Sequence, residues 1–218
     1  MTPNTESQTT EKKYWVGFDL GGTKMLASVL DEKFKPLVRR RKKTKGNEGA
    51  EAGVERIIDN IRAALEEAQV QPEQLAGIGL GCAAPIDLQN GSIIDAVNLG
   101  WQNVPLRKML EAAFGCPVVV SNDVDAGLYG EYRFGAGRDA RCLLGVFPGT
   151  GIGGACVYEG RIVRGKRASA MEIGHVQVLT NGRLCGCGRF GCLETEGSRL
   201  AIAAACAMAA YRGEAPYI

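Results

Sequence analysis

A single histidine, His175, precedes three cysteines at positions 185, 187 and 192. One imidazole and three thiols within eighteen positions form a complete tetrahedral donor set of the Cys3His kind. The stretch Cys185-Gly186-Cys187-Gly188-Arg189-Phe190-Gly191-Cys192 supplies glycines for the sharp turns that bring sulfurs together. Its glycines and arginine are not the apolar setting of buried structural thiols. Four protein ligands leave no open coordination position, so the site is expected to be closed and structural. The chain has eight cysteines, and others, such as Cys82, Cys142 and Cys156, fall in apolar runs. Clustering in a reducing compartment points to a metal rather than to disulfides.

Two glycine motifs suggest phosphate chemistry. In Asp19-Leu20-Gly21-Gly22-Thr23-Lys24 an apolar run ends on a carboxylate and is followed by two glycines. Backbone N–H groups can approach an anion closely there. Thr23 and Lys24 add a hydroxyl and a positive charge, and Asp19 could hold a magnesium ion through water. A tight hairpin needing glycine for positive φ would look the same. Gly149-Thr150-Gly151-Ile152-Gly153-Gly154 also lies between apolar runs. It lacks the Gly-Lys-Ser/Thr ending of a Walker A loop, and no helix follows. Two such hairpins, each opening a similar half of the chain, favour phosphate binding over two unrelated turns.

Asn122-Asp123 follows the apolar run Pro117–Ser121 and precedes a segment, 125–134, that can form a helix. Spacing alone favours a helix cap. The functional alternative is a general base that takes a proton from a hydroxyl.

The elements that must position these groups show in the periodicity. Strands are expected over 14–20, 25–31, 36–44, 75–81, 117–121, 142–147, 154–159 and 162–163. Apolar residues at Val54, Ile57, Ile58, Ile61 and Leu65 predict one buried face on a helix over 48–69. Helices are also expected over 105–114, ending near Gly115, and over 194–211. Hydrophobic residues make up 45% of the 218, enough for a packed core, and the formal net charge of +2 gives no nucleic-acid surface. The run Arg39–Lys43 reads as a solvated strand edge. No stretch has the apolar length of a membrane helix. Residues 1–12 are polar, without a signal-peptide core, and are expected to form a disordered tail. Cytoplasmic localisation follows as the expectation.

Taken together, Asp19–Lys24, Asn122-Asp123, Gly149–Gly154 and the stretch from Glu172 to Glu194 resemble the kinases of the family of repressors, open reading frames and sugar kinases. The resemblance runs from about Tyr14 to Arg212. It implies an α/β, actin-like ATPase (ribonuclease-H-like) fold, with two α/β domains and mixed sheets around a central cleft. The domains are expected over 13–121 and from 122 onward, the second carrying the zinc-binding loop and continuing beyond Ile218. The implied activity is Mg-ATP-dependent phosphorylation of a hexose at the 6-hydroxyl, glucose in the first instance. Alternatives are a fructose or N-acetylhexosamine kinase, or a sugar-sensing transcriptional regulator. A regulator would carry a helix-turn-helix ahead of the first strand, for which the residues before Tyr14 leave no room.

Residue by residue, the resemblance makes Asp123 the catalytic base and Asn122, Glu172, His175 and Glu194 the ligands of the sugar hydroxyls. Asn98, in Asn98-Leu99-Gly100-Trp101, matches a glucokinase segment and becomes a further sugar contact. His175 would bind structural zinc through one ring nitrogen and sugar through the other, beside Cys185, Cys187 and Cys192. Gly21, Gly22, Thr23 and Lys24, with Gly149, Thr150, Gly151, Gly153 and Gly154, become the phosphate loops. The chain departs from the family at Ala84-Pro85-Ile86, where Pro-Gly is common. The partners implied are hexose and ATP, with a homo-oligomer (dimer or tetramer), and neither nucleic acid nor membrane.

Overall fold

The computed structural model describes residues 13–166 and 170–215. The tail expected over 1–12 lies outside them. The chain divides into two compact units between Ala126 and Gly127.

The first unit is built on β1 (Tyr14–Leu20), whose alternation buries Val16, Phe18 and Leu20 and turns Trp15 and Asp19 to the other face. β1 pairs antiparallel with β2 (Lys24–Leu30) and parallel with β4 (Leu75–Cys82). β3 (Pro36–Lys43) is antiparallel to β2, and β8 (Val118–Asn122) is parallel to β4. The mixed sheet therefore runs β3-β2-β1-β4-β8. Helix α1 (Ala50–Glu67) buries Val54, Ile57, Ile61, Ala64 and Leu65 and packs on β2 and β3. Full burial of one such aliphatic side chain contributes about 1.5–3 kcal/mol. Helix α2 (Leu106–Phe114) buries Leu106, Leu110 and Phe114, one residue per turn. It ends at Gly115, whose φ of 63° and N–H to Glu111 suit a left-handed cap.

Three short strands, β5 (Ile86–Asp87), β6 (Ser92–Ala96) and β7 (Trp101–Val104), form a small antiparallel sheet. Two to five residues are too few to display a period, so the sequence does not announce this sheet. Its anchor is the fully buried Trp101. Gly53 of α1 makes room for the indole, since a Cβ there would collide with the ring. The Trp101 Nε1–H donates to the Gly46 carbonyl at 3.4 Å.

Helix α3 (Asp123–Phe134) runs from the first unit into the second. The second unit contains β9 (Cys142–Pro148), β10 (Ile152–Tyr158) and β11 (Arg161–Ile162), an antiparallel sheet in the order β11-β10-β9. The single helix expected over 194–211 is two, α4 (Leu193–Gly197) and α5 (Arg199–Tyr211). Ser198 separates them because its hydroxyl accepts the Ala201 N–H at 3.1 Å and opens a new helix. Among the described residues no helix is long and apolar enough to cross a membrane.

Candidate functional site

In the first unit, the turn between β1 and β2 is Gly21-Gly22-Thr23. Neither glycine has a positive φ, so the hairpin explanation for them fails. Close approach explains Gly21, whose Cβ would stand 2.8 Å from the Lys24 carbonyl. The Gly21 N–H donates to that carbonyl at 3.1 Å. The Gly22 and Thr23 N–H groups donate to no protein acceptor among the described residues, and are free for an anion. Gly22 also lets Asn98 approach, since a Cβ on it would stand 3.3 Å from the Asn98 Cβ. Thr44, fully buried at the end of β3, donates its hydroxyl to the Gly21 carbonyl at 2.6 Å and its N–H to Thr23 at 2.9 Å. Arg56 of α1 holds the Thr44 carbonyl at 2.7 Å and is itself ion-paired to Glu48.

Asn122 closes β8 and Asp123 opens α3. The Asn122 Oδ1 accepts the N–H groups of Val124 and Asp125 at 2.9 and 3.2 Å, so Asn122 is the cap. Asp123 Oδ1 accepts the Val124 N–H at 3.0 Å. In register, Asp19 lies beside Gly81, and a Cβ on Gly81 would stand 3.3 Å from the Asp123 Cα. Partial burial pushes the Asp19 carboxyl above its usual range, Asp123 pushes it further, and Arg41 pulls it back.

In the second unit, Gly149-Thr150-Gly151 joins β9 to β10. The Gly149 N–H donates to Gly151 at 2.7 Å, and the Gly149 carbonyl accepts the Arg199 N–H at 2.9 Å. The Thr150 and Gly151 N–H groups are free of protein acceptors among the described residues. Glu194, in the first turn of α4, accepts the Ile152 N–H at 2.9 Å. A Cβ on Gly151 would collide with that carboxylate, and one on Gly174 with the Ile152 carbonyl. The one-turn helix Ile173–His175, with Glu172 before it, is thus pressed against β10. A Cβ on Gly154 would strike Ile173, so the last glycine of the motif serves this same contact. Thr23, Lys24, Thr150 and Glu172 are exposed at the rims of their loops.

His175, Cys185, Cys187 and Cys192 bring their donor atoms within 4.8 Å of one another. Cys187 Sγ is 3.7 Å from Cys192 Sγ, and Cys185 Sγ is 3.5 Å from His175 Nδ1. Sulfur and nitrogen ligands around one tetrahedral zinc would stand about 3.8 Å and about 3.5 Å apart. The donor set therefore fits a cation of that kind, with Nδ1 as the imidazole ligand. The turn is closed by Cys185 N–H to Arg189 at 2.7 Å and Gly188 N–H to Cys185 at 2.9 Å, with Gly188 at φ 85°. Hydrogen bonds from Arg189, first backbone and then side chain, draw the Cys187 thiol down to about 6. The shift favours the thiolate, the form that binds metals. Burial, followed by the neighbouring thiols, pushes Cys192 up to about 11.

The first unit thus gathers Asp19, the 21–24 turn, Asn98, Asn122 and Asp123; the second gathers the 149–154 turn, Glu172, His175, Glu194 and the cysteines. Sequence reasoning missed Thr44 and Ser198. A lone threonine 23 positions from its partner Gly21 carries no local signal. A serine amid alanines signals a cap only weakly.

Residues 15–214 match the family described as the ROK family. A glucokinase of Streptomyces coelicolor is 37% identical over 187 residues, which cover 86% of this chain and 57% of that protein. A putative xylose repressor of a Caldicellulosiruptor species is 39% identical over 152 residues, covering 68% and 38%. The solved structure of a ROK family glucokinase from Streptomyces griseus, in complex with glucose and AMPPNP, superposes with a TM-score of 0.76 at 34% identity. That match covers 92% of this chain and 62% of the other. The chain accordingly spans a little over half the length of these kinase relatives.

Proposed function

The chain belongs to the ROK family, and from that premise we propose that its protein phosphorylates a hexose at the 6-hydroxyl with Mg-ATP, glucose being the first substrate to test. One observation carries the reading: each glycine loop has two N–H groups free of protein acceptors among the described residues. Asp19 ends the strand that leads into the 21–24 turn, and Glu194 lies against the 149–154 turn. The Streptomyces griseus relative, with its glucose and AMPPNP, supports both halves of the reading.

In this mechanism Asp123 accepts the proton of the 6-hydroxyl as that oxygen attacks the γ-phosphorus and the β–γ bridging oxygen leaves with ADP. The N–H groups of Gly22 and Thr23 in the first unit, and of Thr150 and Gly151 in the second, offer donors for phosphate charge. Asp19 would hold magnesium through water, and the ion would neutralise phosphate charge. Glu172, Glu194, Asn98 and the free amide group of Asn122 bind sugar hydroxyls. His175 presents Nε2 to the sugar because Nδ1 faces the thiols. Structural zinc, when bound by His175, Cys185, Cys187 and Cys192, would fix that ring. The same reading places the protein in the cytoplasm, acting as a homo-oligomer.

The test is ATP-dependent phosphorylation across glucose, fructose, mannose and N-acetylhexosamines by the complete protein. Preferred turnover of glucose supports the reading, and preference for another sugar redirects its substrate. The putative xylose repressor relative favours a second reading, a sugar-sensing regulator. Sugar binding without phosphoryl transfer to any of these sugars would establish it instead.

A further inference from the structure

The Glu194 carboxylate touches two machineries at once. Its Oε2 accepts the Ile152 N–H at 2.9 Å, while Oε1 makes no hydrogen bond among the described residues. Gly151 abuts the same carboxylate, so a methyl group on the phosphate loop would displace it. The carboxylate is not free to retreat. Helix α4 is fixed at its start, where the Thr195 N–H and hydroxyl both reach the Cys192 carbonyl, at 3.0 and 2.7 Å. The Leu193 N–H is bound to Val176 at 2.9 Å. On the loop side, Ile152 is wedged by Gly174 and lies against Gly197.

We propose that Glu194 is a coupling residue: one oxygen holds the phosphate loop in shape, the other takes a hexose hydroxyl, and occupancy of the sugar subsite is thereby linked to the conformation of the donor-phosphate loop. The identity of the ligand at Oε1 rests on the function proposed above, whereas the tie to Ile152 rests on geometry alone. A carboxylate bonded at one oxygen can rotate about its last torsion. A hydroxyl donated to the second oxygen removes that freedom and holds Oε2 on the Ile152 N–H, which keeps the adjoining Thr150 and Gly151 N–H groups in place for phosphate. Linkage is reciprocal, so an ordered loop in turn favours sugar. Glu194 acts on phosphate through Ile152 and is there a positioning residue.

The experiment compares Gly151→Ala, Glu194→Gln and Glu194→Ala with the parent in the complete protein, each loaded with zinc and checked for metal content. Two quantities are read: hydrogen exchange of the Ile152 amide with and without glucose, and glucose affinity by calorimetry. Glucose is expected to slow Ile152 exchange in the parent. Glu194→Ala should speed that exchange about tenfold or more without any ligand, and Glu194→Gln, which keeps an acceptor oxygen, should restore protection. Gly151→Ala removes no polar group, yet should weaken glucose about tenfold. Unchanged Ile152 exchange in Glu194→Ala overturns the tie, and the proposal with it, whether or not Gly151→Ala folds. Glucose affinity within about twofold of the parent in a metal-loaded Gly151→Ala overturns the coupling. No glucose binding by the parent, with the Ile152 response to Glu194→Ala intact, overturns the hexose assignment and leaves the loop tie standing.

Discussion

The two glycine turns have the same local plan, strand, glycines, strand, but are held by different means. The 21–24 turn is pinned from behind by a neutral buried hydroxyl, Thr44, at the end of an adjacent strand. The 149–154 turn is pinned by an anionic side chain, Glu194, on a helix whose start is a cysteine of the metal cluster. The first support comes from the sheet itself. The second sits on a helix that starts at one of four side chains able to hold a metal ion, so metal binding is expected to matter at the second turn and not at the first. The difference shows that a repeated backbone motif does not imply repeated support.

The largest expected effect separates the two turns. Structural zinc contributes an apparent free energy on the order of 10 kcal/mol in small sites at neutral pH. Stripping the metal with a chelator, or removing a ligand by Cys185→Ala, should release α4 and deprotect the 149–154 backbone in hydrogen exchange. The 21–24 turn should keep its protection, because Thr44 and Asn98 belong to the first unit. Equal loss at both turns, measured by exchange with zinc content on the same sample, would break the comparison.

A second test sharpens it through kinetics on the complete protein. Asp123, on the first side, is assigned to proton acceptance, and Glu172, on the second, to sugar binding. Asp123→Asn should lower kcat by about 10²–10⁴-fold with KM for sugar little changed. Glu172→Gln should raise KM about tenfold with a much smaller change in kcat. A KM effect confined to Asp123→Asn would reverse the roles.

How far the sequence disclosed these supports follows from the range of each interaction. Strand β1 and helix α1 were legible because alternation and helical spacing are local: of the residues the helical spacing picks out, Val54, Ile57, Ile61 and Leu65 are buried and Ile58 is half-buried. The cluster of four possible metal donors was legible because four uncommon donors fall within one short segment. The ties behind the turns were not. Thr44 reaches Gly21 across 23 positions, and Glu194 reaches Ile152 across 42. Such contacts are created by sheet register and helix packing. The roles of Gly151 and Gly174 were hidden for the same reason: what excludes a side chain there is another segment, and the turn itself does not demand glycine. The local pattern reads Asp123 as either helix cap or general base, and the structure gives the capping bonds to Val124 and Asp125 to its neighbour Asn122, whose amide nitrogen stays available.

A smaller effect tests the neutral anchor. Thr44→Val keeps the shape and removes the hydroxyl, leaving the Gly21 carbonyl without that bond. A loss of about 1–2 kcal/mol in stability is expected, with faster exchange at 21–24 and none at 149–154. Thr44→Ser should recover most of it. Denaturant titration of the three proteins decides the matter, and a Val variant as stable as the parent would remove Thr44 from the account.

The smallest effect concerns charge on the first side. Partial burial and Asp123 raise the Asp19 carboxyl in the folded state above its ordinary 3.8. Between that ordinary value and the higher folded one, the native protein binds more protons than the unfolded chain. The contribution of Asp19 to stability is therefore fully present below the ordinary value, and is lost as pH rises through the folded one. Asp19→Asn abolishes this titration. Above the window the variant should be slightly more stable than the parent, by a few tenths of a kcal/mol, since Asp19 is partly exposed and Arg41 offsets some of the repulsion. Below the window the advantage should disappear. Thermal midpoints of the two proteins measured from acid to neutral pH give the sign directly. A variant less stable than the parent at neutral pH would mean that Arg41 outweighs burial and Asp123 together.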